Sequence, residues 1–335
     1  MPITLEEAKR TMTDKVDQQV IDEFRRGSFL LDKLTFDNAV SPGTGGSTLT
    51  YSYTRLLTPS TASARKLNSE YTSNEAKRKK CSADLKIFGG TFTVDRVIQK
   101  TSGSLNELTF QLNEKIKATR NLFHNMVING DSVKNEDEFD GLDVILTGTS
   151  TEYKDSVGLD LSSPALVTAN YSRMLDMLDE FLSGLDGKPD AFLGSSKIIT
   201  KMQAVARRAG YLSQNEDSFG RKVTGYDGIP FIDLGEYFDG TNTLGVARQY
   251  SATKTTGEGD DAVTTTTTGL CDLYAVKFGL DGFHAVSPVG DKIISTYLPN
   301  MALPGAAKTG EVEMVAAVVL KNTRKAGVMR GIKVI

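Results

Sequence analysis

Two histidines and two cysteines are the whole supply of imidazole and thiol groups in this 335-residue chain. His124 falls inside a long helical pattern and His284 follows Phe283 in a strand-like stretch. Neither has a second His or Cys at ligand spacing, so a zinc centre or a nucleophile–base–acid triad has no framework. Each reads as a surface residue or a satisfied structural one. Cys81 and Cys271 lie far apart in sequence, which fits a reducing compartment better than a disulfide scaffold. Carboxylates crowd two segments: Asp131, Glu136, Asp137, Glu138 and Asp140 in one, Glu258, Asp260 and Asp261 in the other. A calcium loop needs oxygens at alternating positions, a glycine at the sharp turn and a closing Glu. Neither segment has that spacing, so both read as solvated acidic loops. The run Ser41-Pro42-Gly43-Thr44-Gly45-Gly46-Ser47 has the glycines of a phosphate loop but not the Lys-Ser/Thr ending that reaches phosphate, and reads as a linker. No Gly-x-Ser-x-Gly elbow, His-Glu-x-x-His pair or dinucleotide fingerprint occurs. The expectation is a non-enzyme with no cofactor and no metal.

The remaining chemistry is charge. Arg65, Lys66, Lys77, Arg78, Lys79 and Lys80 gather in one polar stretch. Such a run suits phosphate contact or pairing with an acidic loop, and the lack of interleaved stacking aromatics favours the pairing. With Glu136, Asp137 and Glu138 opposite them, these are the candidate contact residues between subunits. A formal net charge of −3 argues against a general nucleic-acid binder, though not against a protein that surrounds nucleic acid without gripping it. Hydrophobic content of 39% and charged content of 24% are those of an ordinary globular chain. No apolar run approaches the ~20 residues that cross a bilayer, and the charged amino-terminal pattern is not that of a signal peptide. A protein made in the cytoplasm is expected.

These residues need elements to hold them. Thr4 and Glu7 have capping-box spacing, and Leu5, Ala8, Met12, Val16, Val20 and Phe24 form one apolar stripe ended by Gly27. Strand-like alternation runs from Thr48 to Thr54 and from Ser82 to Val94, flanking the polar segment Leu57 to Lys80. That is an extended hairpin with no core of its own, marginal in water unless it lies on another subunit. Thr101 to Ser104 offers caps for a helix carrying Leu105, Leu108, Leu112, Ile116, Leu122, Phe123, Met126 and Val127, roughly 40 Å long. It stops at Asn129-Gly130-Asp131, where Gly130 suits a left-handed cap. A second helix carries Tyr171 to Leu182, and a third carries Ile198, Ile199, Met202 and Val205 after the strand Ala191 to Gly194. Strands are expected at Gly228 to Ile232, Leu244 to Ala247, Asp272 to Phe278 and within Glu311 to Ile335. The segment Thr253 to Gly269, with Thr264 to Thr268 consecutive, reads as an exposed tip or hairpin insertion.

The order of these features resembles the major capsid proteins of tailed double-stranded-DNA phages, the Hong Kong 97-type fold. The resemblance rests on the helix ending Asn125-Met126-Val127-Ile128-Asn129-Gly130-Asp131, followed by Phe139-Asp140-Gly141-Leu142. It continues through Ala191 to Gly194, Phe219-Gly220-Arg221, Gly228-Ile229-Pro230-Phe231, Leu273 to Gly279, and Gly310-Glu311-Val312-Glu313 through Arg324-Lys325-Ala326 to Ile332. It implies an α+β chain with an N-terminal arm (1–47) and an extended loop (48–87). It further implies a peripheral domain (88–142 and 286–335, spine helix about 104–129) and an axial domain (143–285, with the Thr-rich insertion 253–269). The implied role is a virion protein that forms hexamers and pentamers of an icosahedral head in a bacterial host's cytoplasm. Double-stranded DNA is enclosed without specific binding, and the partners are a portal, decoration proteins and, with only ~40 residues ahead of the loop, a separate scaffolding protein or none. Some members cross-link a loop Lys to an Asn of another subunit. Lys66 and Asn300 would be the participants, but no local motif marks them and cross-linking is not expected. An encapsulin-type compartment shares the fold and stays open as the alternative.

Overall fold

The computed structural model describes residues 29–39, 48–101, 107–154, 156–210, 213–216, 222–247, 249–256, 263–288 and 294–335. The amino-terminal stripe with its capping box, the linker 41–47, the caps at 102–104, the Phe219-Gly220-Arg221 motif and the acidic residues 258–261 lie outside them.

From the amino side, helix α1 (Phe29–Lys33) and strand β1 (Phe36–Asn38) lead to β2 (Thr50–Thr58) and β3 (Lys77–Asp84). Next come β4 (Lys86–Asp95), α2 (Arg96–Thr101), the long α3 (Glu107–Asn129), α4 (Leu142–Leu146) and β5 (Glu152–Tyr153). Then follow α5 (Pro164–Ser183), β6 (Ala191–Gly194), α6 (Ser196–Ala209), β7 (Ser213–Glu216), β8 (Lys222–Tyr226) and β9 (Ile229–Asp233). A small hairpin of β10 (Glu236–Phe238) and β11 (Thr243–Gly245) precedes β12 (Tyr250–Thr256) and β13 (Val263–Val276). The chain closes with β14 (Phe283–Ser287), β15 (Ile294–Tyr297), β16 (Ala307–Leu320) and β17 (Ala326–Lys333).

Local chemistry sets the helix ends. Ser163 accepts from the Leu166 N–H at the start of α5, where Pro164 needs no hydrogen-bond partner of its own. Ser195 does the same for α6, which Gly210 closes in the left-handed conformation at φ 76°. On α6 the spaced residues Ile198, Ile199, Met202 and Val205 are all buried.

Two sheets organise the body. In the five-stranded one, β14 lies between β1 and β16, and the first part of β16 pairs with both β4 and β15. The eight-stranded one runs β5-β17-β13-β6-β9-β8-β7, with β12 added against β13. Its central strands separate two cores. Leu193, Tyr274, Val276 and Val328 face one cluster, built around Phe123, Met126, Leu142 and Val318. Phe192, Leu273, Ala275 and Met329 face the other, with Met174, Leu178, Ile198 and Phe231. Alternate residues of one strand thus serve opposite cores, as the period-2 pleat requires, and every residue of β6 is buried.

Several sequence expectations change here. The stretch Ser82 to Val94 is two strands, not one: β3 ends at Asp84, and the buried Leu85 donates its N–H to Leu49 O (2.7 Å) before β4 begins. Identical alternation on both sides hid that junction. Gly130 is not a left-handed cap, since its φ lies outside that region. A Cβ on it would stand 2.2 Å from Phe139 O and 2.6 Å from Met126 O, so glycine is needed for close backbone approach. The segment 286–335, grouped with 88–142 from sequence, divides: β16 pairs with β4, whereas β17 pairs with β13 and β5 in the other sheet. The strand sought at Leu244 to Ala247 is β11, ending at Gly245 before the buried Val246 and Ala247. The Thr-rich segment forms the distal part of the β12–β13 hairpin, with Thr253 facing Thr266.

Candidate functional site

The basic run singled out in the sequence falls on the β2–β3 hairpin. Its strands pair only with each other among the described residues, from Thr50–Asp84 out to Thr58–Lys77. Tyr51, Tyr53 and Arg55 on the inner face are half-buried, while Thr50, Ser52, Thr54 and Leu56 on the outer face are exposed. Tyr51 donates to Asp37 (2.7 Å) and Arg55 to Leu320 O (2.6 Å), which fixes the root. Burial and then Asp37 push the Tyr51 hydroxyl above its ordinary pKa, so it stays protonated and keeps donating.

Beyond Arg55 the hairpin leaves the body. Its tip is folded on itself: Asn74 donates to Thr61 Oγ1 (2.8 Å), Ser69 donates to Lys66 O (2.9 Å), and Asn68 takes φ 62°. Arg65 reaches Ser69 O (3.1 Å) and lies over the Tyr71 ring at 5.4 Å, so its role is to shape the tip. Leu67 is 90% exposed, and Leu56, Leu57 and Tyr71 are also open. Lys66, Lys77, Arg78, Lys79 and Lys80 all point to solvent. Residues 48–87 hold eight Lys and Arg against three Asp and Glu, while the rest of the chain holds thirty-one against thirty-nine. A basic arm is therefore attached to an acidic body.

The acidic loop after α3 divides by role. Glu138 accepts from the Asp131 N–H (3.3 Å) and Asn135 (3.1 Å), and Asp140 accepts from Ser132 (2.6 Å), so both build the loop. Glu136 and Asp137 are exposed, and Glu136 lends only its carbonyl, to Lys86. Gly141 packs as closely as Gly130: a Cβ there would sit 2.6 Å from Met126 O and 2.7 Å from Ile128 O. The two glycine motifs are the two sides of one backbone contact, joined by Gly141 N–H to Gly130 O at 2.9 Å. The structure does not bring Lys77–Lys80 into an ion pair with this loop within one chain.

Two features were missed in sequence. Tyr297 at the end of β15 and Leu298 and Leu303 after it are more than half exposed, yet hydrogen bonds tie their loop down. The buried Lys308 donates to Leu303 O and to Pro304 O (3.3 Å), and Asn300 accepts from the Ala302 N–H (3.0 Å). No sequence pattern marks this, because the burial of Lys308 and its two carbonyl partners are set by the fold. The second is Arg330, which pairs with Asp143, Glu152 (3.1 Å) and Asp272 (2.8 Å) beside a cavity of about 450 Å³. Burial opposes charge on Glu152, but hydrogen bonds from the Gly148 N–H, Lys154 and Arg330 hold its carboxyl below the usual range. The cavity's carboxylates Asp143, Glu152 and Asp272 are paired with Arg330, and among the described residues no three His, Cys, Asp or Glu side chains are placed to hold a metal. Cys271 is buried against Ser195, where burial pushes its thiol up and makes it a poor nucleophile.

No protein-family model matches the chain, and no curated protein matches it in sequence. Solved structures match over nearly its whole length. The holo encapsulin complex of Synechococcus elongatus superposes with a TM-score of 0.63 at 12% identity, covering 99% of this chain and 97% of that one. A chain from Mycobacterium phage Bobi gives 0.58 at 12% identity, and the capsid of Myoviridae phage XM1 gives 0.57 at 9%, each covering 99% of both chains. The chain has the Hong Kong 97-type capsid fold.

Proposed function

We propose that this chain is the major capsid subunit of a tailed double-stranded-DNA phage, acting by assembly and not by catalysis. The observation that carries the reading is the β2–β3 hairpin, a basic arm on an acidic body, with open leucines and an outer half exposed to solvent. Laid on a second copy, the arm gains apolar burial at about 25 cal/mol per Å², together with charge complementarity that fixes register and speeds encounter. The exposed Glu136 and Asp137 are the acidic partners, with Lys66 and Lys77 to Lys80 on the arm. The tied-down apolar loop after β15 is a second surface of the same kind.

In this reading residues 1–47 are an arm, 48–87 the extended loop, 88–142 with most of 286–335 the peripheral domain, and 143–285 the axial domain around the local symmetry axes. Heterologous contacts of this kind close into hexamers and pentamers according to their angle. The head is assembled in the bacterial cytoplasm with a separate scaffolding protein and a portal, encloses DNA without reading it, and offers the β12–β13 hairpin to decoration proteins. Replacing Leu57 to Lys80 by a short turn should leave a folded subunit that forms no stable shells in negative-stain microscopy. Normal shells from that variant would overturn the role of the arm. Only monomers from the intact chain, with purified scaffold present, would overturn the capsid reading itself.

The encapsulin likeness supports a second reading, a compartment around protein cargo. Particles purified from their native source decide between the two by their contents, nuclease-protected double-stranded DNA or a captured enzyme. The strongly basic arm favours the phage head.

A further inference from the structure

The root of the hairpin is a polar cluster whose composition the shell reading does not use. β1 supplies Asp37, β2 supplies Tyr51 and Arg55, β14 supplies His284, and Lys321 follows the end of β16. The Tyr51 ring meets the His284 ring edge-on at 6.0 Å, and Lys321 lies 5.4 Å from the centre of the Tyr51 ring and 3.9 Å from Asp37. His284 is fully buried. Its Nδ1 sits 3.4 Å from Gly282 O, which can only accept, so the neutral ring carries its proton there. Nε2 is left buried without a hydrogen-bond partner.

A proton at Nε2 would place a cation without an acceptor in a closed site. The charged groups around it are Lys321, Asp37 and Asp281, the last paired with Lys325, and Arg55 farther along β2. Burial, then Lys321, lowers the affinity of His284 for a proton; the Gly282 carbonyl, Asp37 and Asp281 oppose this without reversing it. His124, the second histidine, sits in α3, where burial and then Arg120 push its pKa down to about 4.

We propose that His284 is a proton-operated latch on the hairpin root. Neutral, it lets Tyr51 seat against β14; charged, it disfavours that seat and frees the hairpin to turn at the Leu49–Leu85 junction. A histidine that binds its proton less well when docked leaves docking at full strength above about pH 6.5 and weakens it as pH falls below that. One unit lower, the docked-to-undocked ratio drops by up to about tenfold. The latch acts within one subunit and stands whether or not the chain forms shells.

Hydrogen exchange by mass spectrometry on the unassembled full chain, corrected for intrinsic rates, tests it at pH 7.5 and 5.5. The wild type should exchange up to about tenfold faster across 50–56 and 80–84 at pH 5.5, because a two-stranded hairpin freed from the body is only marginally stable and frays, with β13 unchanged. His284→Gln should remove the difference between the two pH values. Should that buried substitution prevent folding, Lys321→Gln keeps the histidine, relieves the repulsion on its charged form and should shrink the acid response. A wild type indifferent to pH, or equal responses in wild type and whichever variant folds, would overturn the latch.

Discussion

β13 and β2 are both strands in antiparallel pairs, and they live under opposite conditions. From Leu273 to Val276 every residue of β13 is closed to solvent, with alternate side chains in two different cores. In β2 the outer residues are exposed and the inner ones only half-buried. A strand in the wall between two cores spends its whole surface on the subunit. A strand in the arm keeps surface in reserve. The difference teaches that the stability of the body and the proposed assembly fall on separate residues, so substitutions should dissociate them.

The sharpest test lies in the body. Gly141→Val drives a side chain into the carbonyls of Met126 and Ile128, and should cost on the order of 4 kcal/mol or more, leaving little folded protein by circular dichroism. Phe192→Ala opens a cavity in the second core and should cost about 3–5 kcal/mol in urea titration. Arg330→Met leaves Asp143, Glu152 and Asp272 without their shared cation, at a cost of about 3 kcal/mol. Glu152 also loses one of the bonds that hold its pKa down. Its contribution is complete above about pH 4.3 and fades as pH falls through its lowered folded value; the variant should therefore begin to unfold at higher pH during acid titration. At the small end, replacing Lys77, Arg78, Lys79 and Lys80 by Glu should change subunit stability by no more than about 0.5 kcal/mol per residue. The same change should abolish shells at low salt, read by light scattering. A large loss of subunit stability from the last variant, or none from the first, would break the comparison.

How far the sequence reveals this follows the range of each interaction. The helices were legible because their caps and 3.6-residue stripes are local, as with Ile198, Ile199, Met202 and Val205. The hairpin was legible through composition, since a polar segment between two alternating strands has nothing to bury. The split at Leu85 was not, because polarity alternates alike on both sides while the pairing partner changes from β2 to β16. The role of Gly130 was hidden for the same reason: the atoms that demand glycine belong to Phe139, across a loop. Arg330 gathers carboxylates from positions 143, 152 and 272, a set that no spacing rule connects. Of the proposed contact residues, Glu138 and Arg65 also hydrogen-bond within their own loops, which no local pattern marked.

The loop between β15 and β16 carries one more consequence. Lys308 and Asn300 hold residues 298–306 in place before any neighbour arrives. Ordering a residue's backbone ordinarily costs about 1–2 kcal/mol, and here that cost falls at folding instead of at encounter. Each contact can then be weak and still selective. In the proposed shell, subunits joined this way detach and try again, so that a misplaced copy leaves a growing lattice before closure traps it.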